Sequence, residues 1–173
     1  MKQSRVVLSL AVFIIGLNIP SLAQKVLPEV TVTAVNYKYI KSVTDTNAAE
    51  SVKMLQRQAA VYDVKKSEFY EEDYDTYFIS FFIPQGKILA AYDKDGKLLH
   101  TAEKFKNIQL PSSVRQSVTK RFPNWNISKD VYLVNYYDAN SKQGETSKMY
   151  KLLLENGDKR IRVKTNEKGE FID

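Results

Sequence analysis

The 173-residue sequence has no cysteine. Disulfides, thiolate metal sites and thiol nucleophiles are therefore excluded, and so is lipid attachment through a cysteine. It has one histidine, His100, which rules out a multi-histidine metal site. Its 6 glycines stand singly, so there is no glycine-rich strand-to-helix turn to cradle a phosphate, and no Gly-x-Ser-x-Gly elbow to present a nucleophile. After residue 23 no apolar run approaches the roughly 20 residues a membrane-spanning helix needs.

The N-terminus has the features of an export signal. Lys2 and Arg5 precede an uncharged apolar run from Val6 to Leu17, and Asn18, Pro20 and Ser21 then break it. Ser21-Leu22-Ala23 fits the small-x-small rule, which predicts a cleaved signal peptide over 1–23. The expected location is periplasmic or extracellular. An exported domain without disulfides must rest on its hydrophobic core, and 43% hydrophobic residues suffice for one.

Charge is uneven along the chain. The net charge is +6, and removing Lys2 and Arg5 leaves +4. Residues 24–103 hold 10 Lys/Arg and 12 Asp/Glu, whereas 104–173 hold 14 and 8. A basic C-terminal half favours an acidic partner or an anionic envelope surface. No nucleic-acid recognition motif accompanies it.

Periodicity predicts the elements. Residues 29–41 alternate through Val30, Val32 and Ala34, reading as a strand within an N-terminal segment over 24–44. Ala48 to Val61 puts Ala48, Val52, Leu55, Gln56 and Ala59 on one helical face, with Asp45, Thr46 or Asn47 as its cap. Ser67 to Tyr74 reads as a short acidic strand, and Thr76 to Ile83 as a strongly apolar one. Lys87–Tyr92 and Lys97–Glu103 form a hairpin about Asp93-Lys94-Asp95-Gly96. Pro111 to Phe122 is a second helix with Val114, Val118 and Phe122 at i, i+4, i+8. Ser128–Tyr137, Lys148–Glu155, Lys159–Lys164 and Phe171-Ile172 complete the strands.

The predicted fold class is therefore α+β, an antiparallel sheet packed on one face by two helices. Helix followed by strands occurs twice, which points to tandem halves over about 45–106 and 107–173 within one domain over 45–173.

Three blocks carry a family resemblance: Ile83-Pro84-Gln85-Gly86-Lys87-Ile88 continuing to Leu99, Arg121-Phe122-Pro123-Asn124-Trp125 with Asp130-Val131-Tyr132, and Tyr150 to Gly157. They resemble the small exported PepSY-like proteins of Bacteroidetes, also described as β-lactamase-inhibitor-like. The resemblance implies helix-plus-strands repeats and a module that binds or restrains another envelope protein. Its motifs are turns and core positions, so it carries no residue-level inhibitory motif.

Several constellations bear on chemistry. Glu68, Glu71, Glu72, Asp73 and Asp75 could hold a cation or supply acid and base, or could form a solvated edge that discourages sheet aggregation. Asp93-x-Asp95-Gly96 resembles a calcium loop, but with Gly96 at the sixth position the first and twelfth fall on Ala91 and Ala102. Trp125 reads as a cap over the core. Arg160, Arg162 and Lys164 alternate with Ile161 and Val163, so a strand would aim all three cations at one face. They are the candidate partner-binding residues.

The expected function is a non-catalytic protein-binding or regulatory module without cofactor, an inhibitor of another envelope protein being its specific form. The alternatives are a small-ligand or metal-binding envelope protein and a carboxylate-based hydrolase. The partner expected is another envelope or secreted protein, with no nucleic acid and no membrane span after signal cleavage.

Overall fold

The computed structural model describes residues 36–139 and 144–172. The expected signal peptide and the alternating stretch 29–35 lie outside the described residues. Three helices and seven strands follow one another: α1 (Tyr37–Val43), α2 (Glu50–Val61), β1 (Thr76–Ile83), β2 (Gly86–Asp93), β3 (Leu98–Lys106), α3 (Ser112–Arg121), β4 (Asn126–Tyr137), β5 (Glu145–Asn156), β6 (Lys159–Thr165) and β7 (Phe171–Ile172). The strands form one antiparallel sheet in the order β1-β2-β3-β4-β5-β6-β7. The fold is α+β, as expected, and the β3–β4 pairing joins the two sequence halves into one continuous sheet.

The sheet has one covered and one open face, because successive residues of a strand point to opposite sides. Tyr77, Phe81, Ile88, Ala90, Tyr92 and Phe105 are buried on the covered face of the first half. Tyr132, Val134, Tyr136, Tyr150, Leu152 and Leu154 continue it through the second. Helix α2 lies over β1 and β2, and α1 over β4 and β5. The buried face of α2 is Val52, Leu55, Gln56, Ala59 and Ala60, matching the spacing seen in the sequence. Val114 and Val118 of α3 are buried, Phe122 is half-buried, and Trp125 packs half-buried against the core.

Three local expectations are corrected. The strand expected through residue 41 gives way to α1 from Tyr37, so three helices pack the sheet rather than two. Tyr39 and Val43, at i and i+4, are both buried on it, a helical spacing hidden behind the alternation of the preceding residues. Asn36 fixes the start of this helix: its Nδ2 donates to Ala60 O (3.1 Å) and Gly96 O (3.2 Å), and its Oδ1 accepts from Leu98 N (2.7 Å).

The strand expected over 67–74 is absent. A short 3-10 turn (Val64–Lys66) and bends occupy the segment, with Tyr70 stacked on Tyr77 and Tyr74 edge-on to it. Glu71, Glu72 and Asp73 are consecutive and exposed, a run of like charge better hydrated in a loop than aligned on a sheet. Helix α2 is also capped by Ala49 without a side-chain bond, not by Asp45, Thr46 or Asn47.

The repeated turns are built alike. Asp93 Oδ1 accepts from Asp95 N and Lys97 N, both at 2.9 Å. Asn166 Oδ1 accepts from Lys168 N and Glu170 N, both at 3.0 Å. Each turn ends on a left-handed glycine, Gly96 at φ 80° and Gly169 at φ 83°.

Candidate functional site

The open face divides into two zones. Over β1 to β3 it is largely apolar, with Phe78, Phe82 and Leu89 exposed. Over β4 to β7 it is basic. The register β4–β5–β6 sets Val131 beside Lys151 and Lys151 beside Lys164, and Lys129 beside Leu153 and Leu153 beside Arg162. Lys164 in turn pairs with Ile172 of β7. Along one row Lys151 and Lys164 therefore stand side by side between Val131 and Ile172, and along the next Leu153 stands between Lys129 and Arg162.

Arg160, Arg162 and Lys164 do share one face, while Ile161 and Val163 pack toward the core. They are not equivalent. Arg160 forms a surface ion pair across the β5–β6 pair, its Nε 3.0 Å from Glu155 Oε1. Arg162 and Lys164 line an open groove of about 700 Å³ with Lys129 and Lys151. Arg121, at the end of α3, also lines it, its guanidinium carbon 4.4 Å from the centre of the Phe171 ring on the covered side of the sheet. Phe122 meets the same ring edge-on at 5.7 Å. Among the described residues the one carboxylate lining the groove, Asp130, is buried and accepts from Ile108 N (3.2 Å). Burial raises its pKa, which the backbone bonds from Ile108 and Asn107 oppose.

The groove is thus strongly cationic with an apolar floor, suited to a ligand carrying carboxylates beside an aliphatic or aromatic group. Lys129, Lys151 and Arg121 escape a reading of the sequence because they come from three other elements. The only local signal is that Lys151 stands alone in the apolar run from Tyr150 to Leu154.

The other singled-out groups lie elsewhere. His100 sits on the open face with its ring 4.4 Å from that of Tyr137. Glu68, Glu71, Glu72, Asp73 and Asp75 are exposed in the loop before β1 rather than on the acidic strand expected there. Among the described residues, no three His, Cys, Asp or Glu side chains gather as a metal site. None of the described helices is long and apolar enough to cross a membrane.

One carboxylate that sequence reasoning missed is Glu103, which is 3% exposed beneath α1 and α2. Its Oε1 accepts from Tyr39 Oη (2.8 Å) and Thr101 Oγ1 (2.9 Å), and its Oε2 from Gln56 Nε2 (2.8 Å). Burial raises its pKa against the lowering effect of these bonds. Enclosed in this way it has no access to a substrate. The available signal was Gln56, a polar residue on the apolar face of a helix, which needs a buried partner.

No protein-family model matches the chain, and no curated protein matches it. Among solved structures it is similar to a BLIP-like protein from Bacteroides fragilis NCTC 9343, at 17% identity and a TM-score of 0.32, over 60% of this chain and 69% of that one.

Proposed function

We propose that this chain is an exported, non-catalytic binding module that holds an acidic segment of another envelope or secreted protein in the groove at the basic end of its sheet. The observation that carries this reading is the convergence of Lys129, Lys151, Arg162 and Lys164 around Val131, Leu153 and Ile172 on an uncovered face. Burying apolar surface supplies affinity, while paired charges set orientation and partner choice. Arginine adds planar paired donors for carboxylates. Restraint or inhibition of the partner is the regulatory form of this reading, in keeping with the resemblance to PepSY-like proteins.

The groove's volume also falls within the range of roughly 300–1,000 Å³ typical of small-ligand sites, so an amphipathic organic anion is the second occupant to weigh. One experiment separates the two. The processed chain is used as bait in native envelope extract beside a Lys151→Glu/Arg162→Glu variant, and both are screened for thermal shift with long-chain carboxylates. A partner held stoichiometrically by the wild type, released by salt and lost by the variant supports the module. A thermal shift without a protein partner supports the small anion. A partner held equally by both baits would remove the groove from the mechanism.

A further inference from the structure

Among the described residues β1 is an edge strand of the sheet. We propose that β1 is a self-association edge, at which two copies of this chain pair antiparallel about a two-fold axis through Ser80 and join their sheets.

Among the described residues β1 pairs with β2 alone, and none of them pairs with its other side. The two-residue turn Pro84-Gln85 makes Ile83 and Gly86 the hydrogen-bonded closing pair. By alternation, Phe78, Ser80 and Phe82 turn their N–H and C=O groups outward. Protein edges of this length are ordinarily blunted by lysine, proline, a bulge or brevity. The opposite edge, β7, is blunted by brevity, at two residues. The eight residues of β1 contain no charge, no proline and no bulge.

The side chains select a second copy as the occupant. Phe78 and Phe82 are 70% and 69% exposed on the open face. Ser80 lies midway between them, so an antiparallel pair centred on Ser80 sets Phe78 opposite the other copy's Phe82, twice. On the covered face the same register sets Ile79 opposite Phe81. Such a self-complementary strand suits an isologous two-fold contact.

Charge reinforces the antiparallel sense. Glu71, Glu72, Asp73 and Asp75 precede the strand, whereas Lys87 lies beside Phe82 at its far end, with Lys104 next to it on β3. Antiparallel pairing brings the acidic end of each copy to the lysine end of the other. The four phenylalanines would remove on the order of 500 Å² of aromatic surface from water. With the backbone strip this reaches only the low end of specific interfaces, so a micromolar, concentration-dependent dimer is expected.

The absence of native cysteine gives a direct test, because a single Ser80→Cys variant would face its symmetry mate at a separation a disulfide can span. Ser80→Cys and a control, Gln116→Cys on α3, are oxidised mildly at about 50 μM, a concentration chosen to exceed the expected dissociation constant. In parallel, wild type and Phe82→Lys are compared by sedimentation equilibrium, with circular dichroism confirming that both are folded. The expected result is a covalent dimer from Ser80→Cys alone, and a dissociation constant raised about ten-fold or more by Phe82→Lys. Equal cross-linking of the two cysteine variants, or dimerisation unchanged in Phe82→Lys, would overturn the proposal. So would a wild type that stays monomeric, whether its outward β1 amides exchange freely or are protected by another segment of the same chain.

Discussion

Gln56 donates to Glu103 across 2.8 Å in the core, yet its own Oε1 has no hydrogen-bond partner among the described residues. The pair therefore leaves one buried acceptor, on Gln56, beside a carboxylate whose two oxygens both accept. Burial raises the Glu103 pKa above its ordinary 4.5, so the folded state holds its proton to higher pH than the unfolded state does. The sign follows from linkage: this group's contribution to stability is full below the unfolded value and falls as pH rises through the folded one. Glu103→Gln would remove that slope. Turning the Gln56 amide would let its Oε1 accept from the new amide, while Tyr39 and Thr101 keep their acceptor. The expected outcome is a folded variant whose melting temperature gains on the wild type as pH rises from 4 to 8. A constant offset across that range would show that Glu103 does not titrate in it.

Asp138 behaves in the opposite sense. Its carboxylate takes Lys38 of α1 on one oxygen and Lys97 of the β2–β3 hairpin on the other, and Lys38 also donates to Ala139 O at 2.7 Å. Burial alone would raise its pKa, but the two lysines outweigh it and hold the carboxyl below its ordinary 3.8. Its stabilisation is present above the unfolded value and is lost as pH falls through the lowered one. Asp138→Asn should cost about 1–2 kcal/mol at pH 7, the scale of hydrogen bonds to a charged group. The gap from wild type should close toward pH 2. Melting curves across the acid range decide this, and a gap independent of pH would mean the lysines are not engaged.

Asn36 ties the start of α1 to the end of α2 and to the β2–β3 hairpin through three hydrogen bonds while only 2% exposed. Asn36→Ala would leave Leu98 N and two carbonyls buried without partners, at about 2–3 kcal/mol. Asn36→Asp keeps an acceptor for Leu98 N but sets a carboxylate against Ala60 O and Gly96 O. It should be destabilised by at least as much at pH 7 and recover as the acid is protonated. Urea unfolding at pH 4 and pH 7 measures both effects. Equal stability of Asn36→Asp at the two values would argue against this geometry.

These three groups show where sequence reading stops. Periodicity was sufficient for α2, for β1 and for the one-sided array of Arg160, Arg162 and Lys164, because each is a repeat within a single element. Tyr39 and Val43 had helical spacing too, but the alternation from Val30 to Ala34 reads straight into them as strand. Glu103, Asp138 and Asn36 take their roles from partners 47 or more residues away for Gln56, 100 for Lys38 and 60 for Gly96. The basic groove likewise needs Lys129 and Lys151 brought beside β6 by strand register. Local pattern determines which face a residue takes, while pairing across the sheet determines its company.

The two matching turns offer the sharpest comparison, since the same substitution should have different consequences in each. Gly96 and Gly169 have nearly the same left-handed φ, so alanine at either carries the backbone strain of roughly 1–2 kcal/mol. A Cβ on Gly96 would meet nothing within 4 Å. A Cβ on Gly169 would come 2.5 Å from Ser117 Oγ and 2.6 Å from Ser113 O, where the turn rests on α3. The serine hydroxyl can rotate away, but the helix carbonyl cannot move without lifting the turn. Gly96→Ala should therefore cost only the strain, and Gly169→Ala at least about 1 kcal/mol more, the range of overpacking. Because Phe171 follows this turn and lines the groove beside Arg121, Gly169→Ala should also weaken binding there, while Gly96→Ala leaves it unchanged. Equal losses of stability in the two variants would show that the turn does not seat on α3 as described.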